Sequence, residues 1–332
     1  MKIALLHDSV LPPRTYGGIE RIVVSLAYEY RRLGHEVVVI CRTGSKLTDF
    51  ETFALPDGYQ TTEPAKWLPG GLDFLHSHQP LPLKPTIPFL VTIHGNGHPE
   101  EKYWRNTNFL SQSPARNHNA TEYVYNGVDP ERFTFVEKKS DYYVFLARTT
   151  WRVKNLKTAI AWANDLGVRL EIMGGSGVSR GNIRYAGLVE EKEKVELLSN
   201  AKALIYPTNW DEPCAGAPLE ALACGTPVIT SVNGCMPELV RPGTGVVCET
   251  YADLLKAPEV LKSVKTSDCR KSVETFFSVR RMAQDYLSLF ERISKEGELP
   301  HEPRFNFDPA SVKLLYKPTV VNRLRHAILG KI

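Results

Sequence analysis

A chain of 332 residues, 42% of them hydrophobic and 23% charged, has room for about two domains at roughly 100–200 residues each. This composition excludes global disorder, and each half is long enough to bury a core without a disulfide or metal staple. Lys and Arg number 41 against 37 Asp and Glu; the resulting +4 is too small to argue for nucleic acid. No apolar run approaches the ~20 residues of a membrane-spanning helix. The apolar start of MKIALLHDSV breaks at His7 and Asp8, short of the ~7–15 residues of a signal-peptide core, so a cytoplasmic location is expected. The six cysteines form no CxxC pair and read as reduced thiols.

The chain alternates short apolar runs with helical patterns. IALL at 3–6 reads as a buried strand, 12–18 as a Pro/Gly loop, and 19–33 as a helix stopped by Gly34. Further strands are expected at 36–41, 73–76 and 89–93. The charged segment VEKKSD at 136–141 reads as a linker. The pattern then restarts, with strands at 142–147, 169–173, 203–206 and 227–230 and helices at 155–166, 190–198 and 218–223. Near-continuous apolar strands alternating with helices imply parallel sheets covered on both faces. The expected fold is α/β, with two doubly wound Rossmann-like domains facing across a cleft. The expected divisions are an acceptor-side domain over 1–137, a donor-binding domain over 138–293 and a tail over 294–332. Ligands of such sheets bind beyond the carboxyl ends of the strands.

The segment NWDEPCAGAPLEALACGTPVI, 209–229, carries the most chemistry. Glu212 and Glu220 flank a run of small residues, Ala215, Gly216 and Ala217, that leads into a helix. Backbone N–H groups there can approach an anion closely, and the helix start adds partial positive charge. Carboxylates accept hydrogen bonds from sugar hydroxyls. Two glutamates at this spacing also occur on ordinary solvated helix starts, so the spacing alone decides nothing.

In its surroundings the segment resembles the retaining glycosyltransferases of family four, the glycosyl transferases group 1, which have a B-type two-domain fold. The resemblance rests on E-P-x(6)-E-A-x-A-C-G-T-P-V-I from Glu212 to Ile229 and on G-x-x-P-E-x-V from Gly234 to Val240. Upstream it includes YNGVDPERF, LAR…KN and YAGLV, and towards the start YGGIERIVVSLA, GHEVVVI and TIHG. It runs in order to about Ile293 and implies a role for each matching residue. Arg148 and Lys154 would stabilise a departing diphosphate, with Arg152 a third candidate cation. Glu212 would bind the donor sugar and Glu220 the ribose hydroxyls. Gly17 and Gly18 would meet the donor phosphates, and His94 the donor sugar or its phosphate. Asp129 would be an interdomain connector.

The chain departs from the family pattern at Asn155, where glycine is common, and at Cys214, where phenylalanine is usual. No Asp-x-Asp motif is present to hold a divalent ion, so metal-independent transfer and no cofactor are expected. His76 and His78 share a strand face, could ligate a metal, and are read as structural or acceptor-side. Tyr103, Trp104, Arg105, Asn106 and Asn108 form the candidate acceptor wall. In the segment 317–332, Lys317, Arg323, Arg325 and Lys331 accompany Val320, Val321, Leu324 and Ile328 on one helical face. That segment is expected to pack on the first domain, with peripheral membrane contact as the rival reading.

The expected activity moves a hexose from a nucleotide diphosphate sugar, UDP-glucose-like, to a saccharide or lipid-linked acceptor, with retention. The rivals are a nucleotide-sugar epimerase and a non-catalytic nucleotide-sugar-binding subunit.

Overall fold

The structure is a computed structural model that describes residues 1–13 and 17–316. The described chain divides into two compact units, Met1–Asp129 with Phe277–Asp308, and Pro130–Phe276 with the segment from Pro309.

The first unit runs β1 (Lys2–His7), α1 (Gly18–Arg32), β2 (Glu36–Cys41), β3 (Glu51–Ala54), β4 (Phe74–Ser77), β5 (Phe89–Ile93), β6 (Thr107–Phe109) and α2 (Gln112–Arg116). Its six strands lie in the order β3-β2-β1-β4-β5-β6, all paired in parallel. Successive side chains point to opposite faces. Ile3, Leu5, Val37, Val39 and Phe74 therefore enter one core, while Ala4, Leu6, Val38, Ile40 and Leu75 enter the other. This two-sided burial explains why β1, β2, β4 and β5 read as unbroken apolar runs.

The second unit runs β7 (Tyr143–Leu146), α3 (Leu156–Leu166), β8 (Leu170–Met173), β9 (Ile183–Gly187), α4 (Glu191–Asn200), β10 (Leu204–Tyr206), α5 (Gly216–Ala223), β11 (Val228–Ser231), α6 (Met236–Leu239), β12 (Gly245–Cys248), α7 (Tyr251–Leu261) and α8 (Thr266–Phe276). Its sheet, β12-β11-β10-β7-β8-β9, is again all parallel. Numbered from its own first strand, each sheet has the doubly wound order 3-2-1-4-5-6. The order reverses between β1 and β4 in one unit and between β7 and β10 in the other. Those switch points are where such sheets hold ligands.

Two features depart from the sequence reading. The expected second domain runs to 293, yet α9 (Val279–Glu296) packs in the first unit. Its stripe of Met282, Tyr286, Leu289, Phe290 and Ile293 closes the core against α1. Phe290 stacks on Phe74 at 4.1 Å. Burying each such side chain is worth about 1.5–3 kcal/mol. The chain returns beside its own earlier passage: Val128 N–H donates to Phe277 O and Val279 N–H to Val128 O. A Cβ at Gly127 would stand 2.6 Å from Ser278 O, which accounts for glycine in the NGVD run.

The second departure is 136–141, which is fastened to the second unit and is not a loose linker. Lys139 Nζ donates to Ser199 O, Cys224 O and Thr226 Oγ1. It thereby satisfies carbonyls at the carboxyl ends of α4 and α5, where a cation is favoured. Burial lowers its pKa to about 8.

All six cysteines are buried and none is in a disulfide. Among the described residues no helix is long and apolar enough to cross a membrane. The expected helix within 317–332 lies outside the described residues.

Candidate functional site

In the second unit, the loops that follow the switch-point strands β7 and β10 carry the expected residues. Arg148 lies two residues past β7 and is exposed. Lys154 ends a 3-10 turn at Arg152–Lys154 and is buried, while Arg152 is exposed. Glu212 is buried on the loop between β10 and α5. The two are paired: Lys154 Nζ lies 2.5 Å from Glu212 Oε1, their side chains 9% and 2% exposed. Glu212 Oε1 also accepts from Thr208 Oγ1 at 3.0 Å and Tyr206 OH at 3.1 Å. All three bonds fall on one carboxylate oxygen. Burial and the Glu212 charge push the Tyr206 phenol well above its ordinary pKa, so it stays a donor.

Three features of this site escape a reading of motifs. Trp210 and Trp151 flank the pair, with Lys154 Nζ 4.5 Å from the Trp210 ring centroid and the Arg148 guanidinium 5.1 Å from that of Trp151. Such cation–π contacts hold a charge in place without consuming its hydrogen bonds. Gly234, at φ +62°, presses on the Glu212 backbone: a Cβ would stand 2.1 Å from Glu212 N. Cys235 N–H donates to Glu212 O at 2.8 Å, so the G-x-x-P-E-x-V run serves as a clamp on the glutamate loop. Third, Asn155, Asn209 and Asn233 bond the strap Lys313–Leu315 through its backbone. Asn155 keeps the left-handed φ of +60° that glycine would supply and adds a bond to Pro207 O. Asparagine here therefore sets the backbone turn and also ties two segments to it.

Glu220 lies on α5 and is paired with Lys194 at 2.9 Å. The start of α5, at Ala215, Gly216 and Ala217, has no side-chain cap. Gly216 is exposed and a Cβ there meets nothing within 4 Å. The first unit repeats this arrangement. Helix α1 begins at Gly18 without a side-chain cap, and a Cβ on Gly18 also meets open space. Gly17 differs, because its Cβ would lie 2.6 Å from Pro13 Cβ. The fold demands glycine at Gly17 but not at Gly18 or Gly216.

The first unit places His7 at the end of β1 and His78 and His94 just past β4 and β5. His78 Nδ1 lies 2.8 Å from His94 Nε2. His76 belongs to the core, with Nε2 2.8 Å from Thr92 Oγ1 and Nδ1 3.3 Å from Tyr30 OH. Burial lowers the pKa of all four imidazoles, that of His94 to about 3, so all are neutral near pH 7. Among the described residues no three His, Cys, Asp or Glu side chains form a group that could hold a metal ion.

The expected acceptor wall divides. Tyr103, Trp104 and Arg105 line a groove of about 1010 Å³ with Lys84, Glu298 and Arg304. Asn106 and Asn108 are buried. Asn106 is committed to Gly297 O and Leu299 N, and Asn108 to Thr92 and Phe109 O. Neither amide belongs to that wall.

Comparison with known proteins identifies two adjoining family regions: "Glycosyltransferase Family 4" matches residues 16–129 and "Glycosyl transferases group 1" matches 129–264. Spore coat protein SA of Bacillus subtilis (strain 168) is 24% identical over 125 residues, 35% of this chain and 33% of that protein. The chain spans about a third of the length of the curated relatives it matches. The crystal structure of AviGT4, a glycosyltransferase involved in avilamycin A biosynthesis, superposes with a TM-score of 0.71 at 24% identity, over 89% of this chain and 98% of that one. Anabaena Alr3699/HepE in complex with UDP-glucose superposes with a TM-score of 0.63 at 15% identity, over 89% and 100%. The fold is therefore the B-type fold of two Rossmann-like domains, and the chain belongs to the glycosyl transferase group 1 family, glycosyltransferase family 4.

Proposed function

We propose that this protein transfers a hexosyl unit from a nucleotide diphosphate sugar, UDP-glucose or a close analogue, to a hydroxyl of a saccharide or lipid-linked acceptor, with retention at the anomeric carbon. The observation that carries this reading is the buried Lys154–Glu212 pair beside exposed Arg148, at the switch point of the second sheet. A departing diphosphate needs fixed cations, and Arg148 and Lys154 supply two. Sugar hydroxyls need a carboxylate acceptor, and Glu212 Oε2 is left by the three bonds on Oε1. Glu220 takes the ribose hydroxyls. The uncapped helix starts at Gly216 and Gly18 supply backbone N–H groups to the phosphates. In the first unit His94 donates to the donor sugar or its phosphate, and the groove at Trp104 offers an aromatic wall to the acceptor. This is catalysis by positioning and electrostatics. The UDP-glucose bound to HepE, a protein of the same fold, supports the choice of donor.

The test is a thermal-shift screen of nucleotide sugars, followed by donor turnover with and without saccharide acceptors. A ligand at ~100 times its Kd adds about 2.7 kcal/mol of stability. Stabilisation by UDP-glucose with acceptor-dependent release of UDP is expected. Conversion of the donor without acceptor would assign an epimerase instead, and binding without turnover a non-catalytic subunit.

A further inference from the structure

We propose that His78 is a positioning residue that sets the tautomer of His94: His78 Nδ1–H donates to His94 Nε2, so that His94 carries its own hydrogen on Nδ1. The two nitrogens are 2.8 Å apart, and one hydrogen must lie between them. If His94 supplied it from Nε2, His78 would have to carry its hydrogen on Nε2. That nitrogen is buried and has no hydrogen-bond partner. A stranded N–H is rarer in folded proteins than an under-used acceptor lone pair. The arrangement with the lone pair on His78 Nε2 is therefore the stable one. A doubly protonated ring, which would offer a third arrangement, is opposed by burial of both imidazoles.

The neighbouring bonds leave this assignment standing. Thr92 Oγ1 donates to Asn108 Oδ1 at 2.7 Å, so it accepts from His76 Nε2–H at 2.8 Å. His76 Nδ1 then accepts from Tyr30 OH. His76, whose ring lies 4.2 Å from that of His78, has no hydrogen left to give. His7, the other imidazole at these strand ends, has a buried Nδ1 without a partner of its own.

Free imidazole side chains favour hydrogen on Nε2. His78 reverses that preference, and His94 presents a neutral Nδ1–H on the edge of the ring turned away from His78. The use of that hydrogen on a donor oxygen rests on the function proposed above; the tautomer does not.

Long-range ¹H–¹⁵N correlation spectra of the full chain, labelled at histidine and recorded near pH 7.5, read the tautomer directly. His94 and His78 should both show a protonated Nδ1 and a bare Nε2. In His78→Asn the amide N–H can stand where Nδ1–H stood, and the His94 pattern should persist. In His78→Leu it should move toward the Nε2–H form, with kcat/KM for sugar transfer down roughly tenfold, the size of one net hydrogen bond. The asparagine variant should restore most of that loss. A bare Nδ1 on His94 in the unaltered protein, or a His94 spectrum unmoved by His78→Leu, overturns the proposal. A tautomer that shifts while transfer stays unchanged upholds the tautomer assignment, but it overturns the positioning role of His78 and removes His94 from the catalytic machinery.

Discussion

The two units share one strand order and hold opposite chemistries at the same topological place. At the carboxyl ends of β1, β4 and β5 in the first sheet stand His7 and His78, buried, and half-buried His94, all three uncharged. At the switch point of the second stand a buried ion pair, Lys154–Glu212, and the exposed cation Arg148. Each unit also starts a helix there on a glycine the packing does not require, Gly18 and Gly216. The topology thus decides where a ligand can lie, and the side chains at the strand ends decide which unit meets charge. A diphosphate suits the second; the first offers neutral donors, which suit hydroxyls.

The largest expected break in this contrast is Glu212→Gln. Turnover should fall roughly 10²–10³-fold, the loss from one preorganised electrostatic contact. The variant also strands the Lys154 ammonium, and breaking a buried pair from one side costs about 3–5 kcal/mol. Adding Lys154→Met should return much of the melting temperature without returning activity. Lys154→Ala alone should weaken UDP more than uridine. Turnover of Glu212→Gln within threefold of the unaltered protein would remove Glu212 from the site.

Much of this arrangement was legible in the residues. Strands β1, β2, β4, β5, β7, β8, β10 and β11 were readable because both faces of each are buried. β9 and β12 were not, since Arg184, Gly187 and Gly245 interrupt their apolar runs. The apolar stripe of α9 is local, but its partner, a sheet some 200 residues earlier in the chain, is not a local property. Lys154, Glu212 and Glu220 could be found from spacing and family resemblance. That Lys154 and Glu212 bond one another across 58 positions could not. Nor could the clash that makes Gly234 obligatory, because a glycine in a motif looks the same whether a ligand or a neighbouring backbone excludes its side chain.

Glycine substitutions separate those two cases. Gly234→Ala should cost several kcal/mol, since its Cβ would meet Glu212 N at 2.1 Å and the residue sits at positive φ. Gly216→Ala should instead stabilise the second unit by about 0.5–1 kcal/mol, as alanine favours helix. It should nonetheless weaken donor binding, because the methyl group occupies the open space at the helix start. Melting curves and UDP titrations of both variants check this. Unchanged UDP affinity in Gly216→Ala would mean that phosphates do not approach this helix.

Acid should act on the first unit before the second. The folded pKa values of His7, His76, His78, His94 and His118 are lowered by burial. Below pH 6.5 the unfolded chain then binds more protons than the folded one. Stability is therefore full above about pH 6.5 and is lost as pH falls, towards pH 3 for His94. Each such histidine contributes a slope of up to about 1.4 kcal/mol per pH unit. The described residues of the second unit contain no histidine. Amide exchange at pH 7 and pH 5 should show β1, β4 and β5 losing protection while β7 and β10 keep theirs. Equal loss in both sheets would mean that the carboxylates govern acid sensitivity and the imidazoles do not.

The smallest effect on turnover belongs to Asn155→Gly, which removes two bonds and keeps the backbone. Glycine adopts the φ of +60° at least as readily as asparagine, so helix α3 should start where it does now. The amide's bonds to Pro207 O and Leu315 O are lost, at about 1 kcal/mol each. Thr158 Oγ1 still donates to Leu315 O, and Asn209 and Asn233 still hold the strap, so Leu315 should stay in the core. The melting temperature should drop by a few degrees, at roughly 2–4 °C per kcal/mol for a protein of this size. Lys154 is the adjacent residue, and its pair with Glu212 is held independently by Trp210 and Thr208. Turnover should therefore stay within a few-fold. If Asn155→Gly instead lost activity as Lys154→Ala does while melting normally, the strap would be setting the position of Lys154, and the second unit's charge would depend on the C-terminal segment.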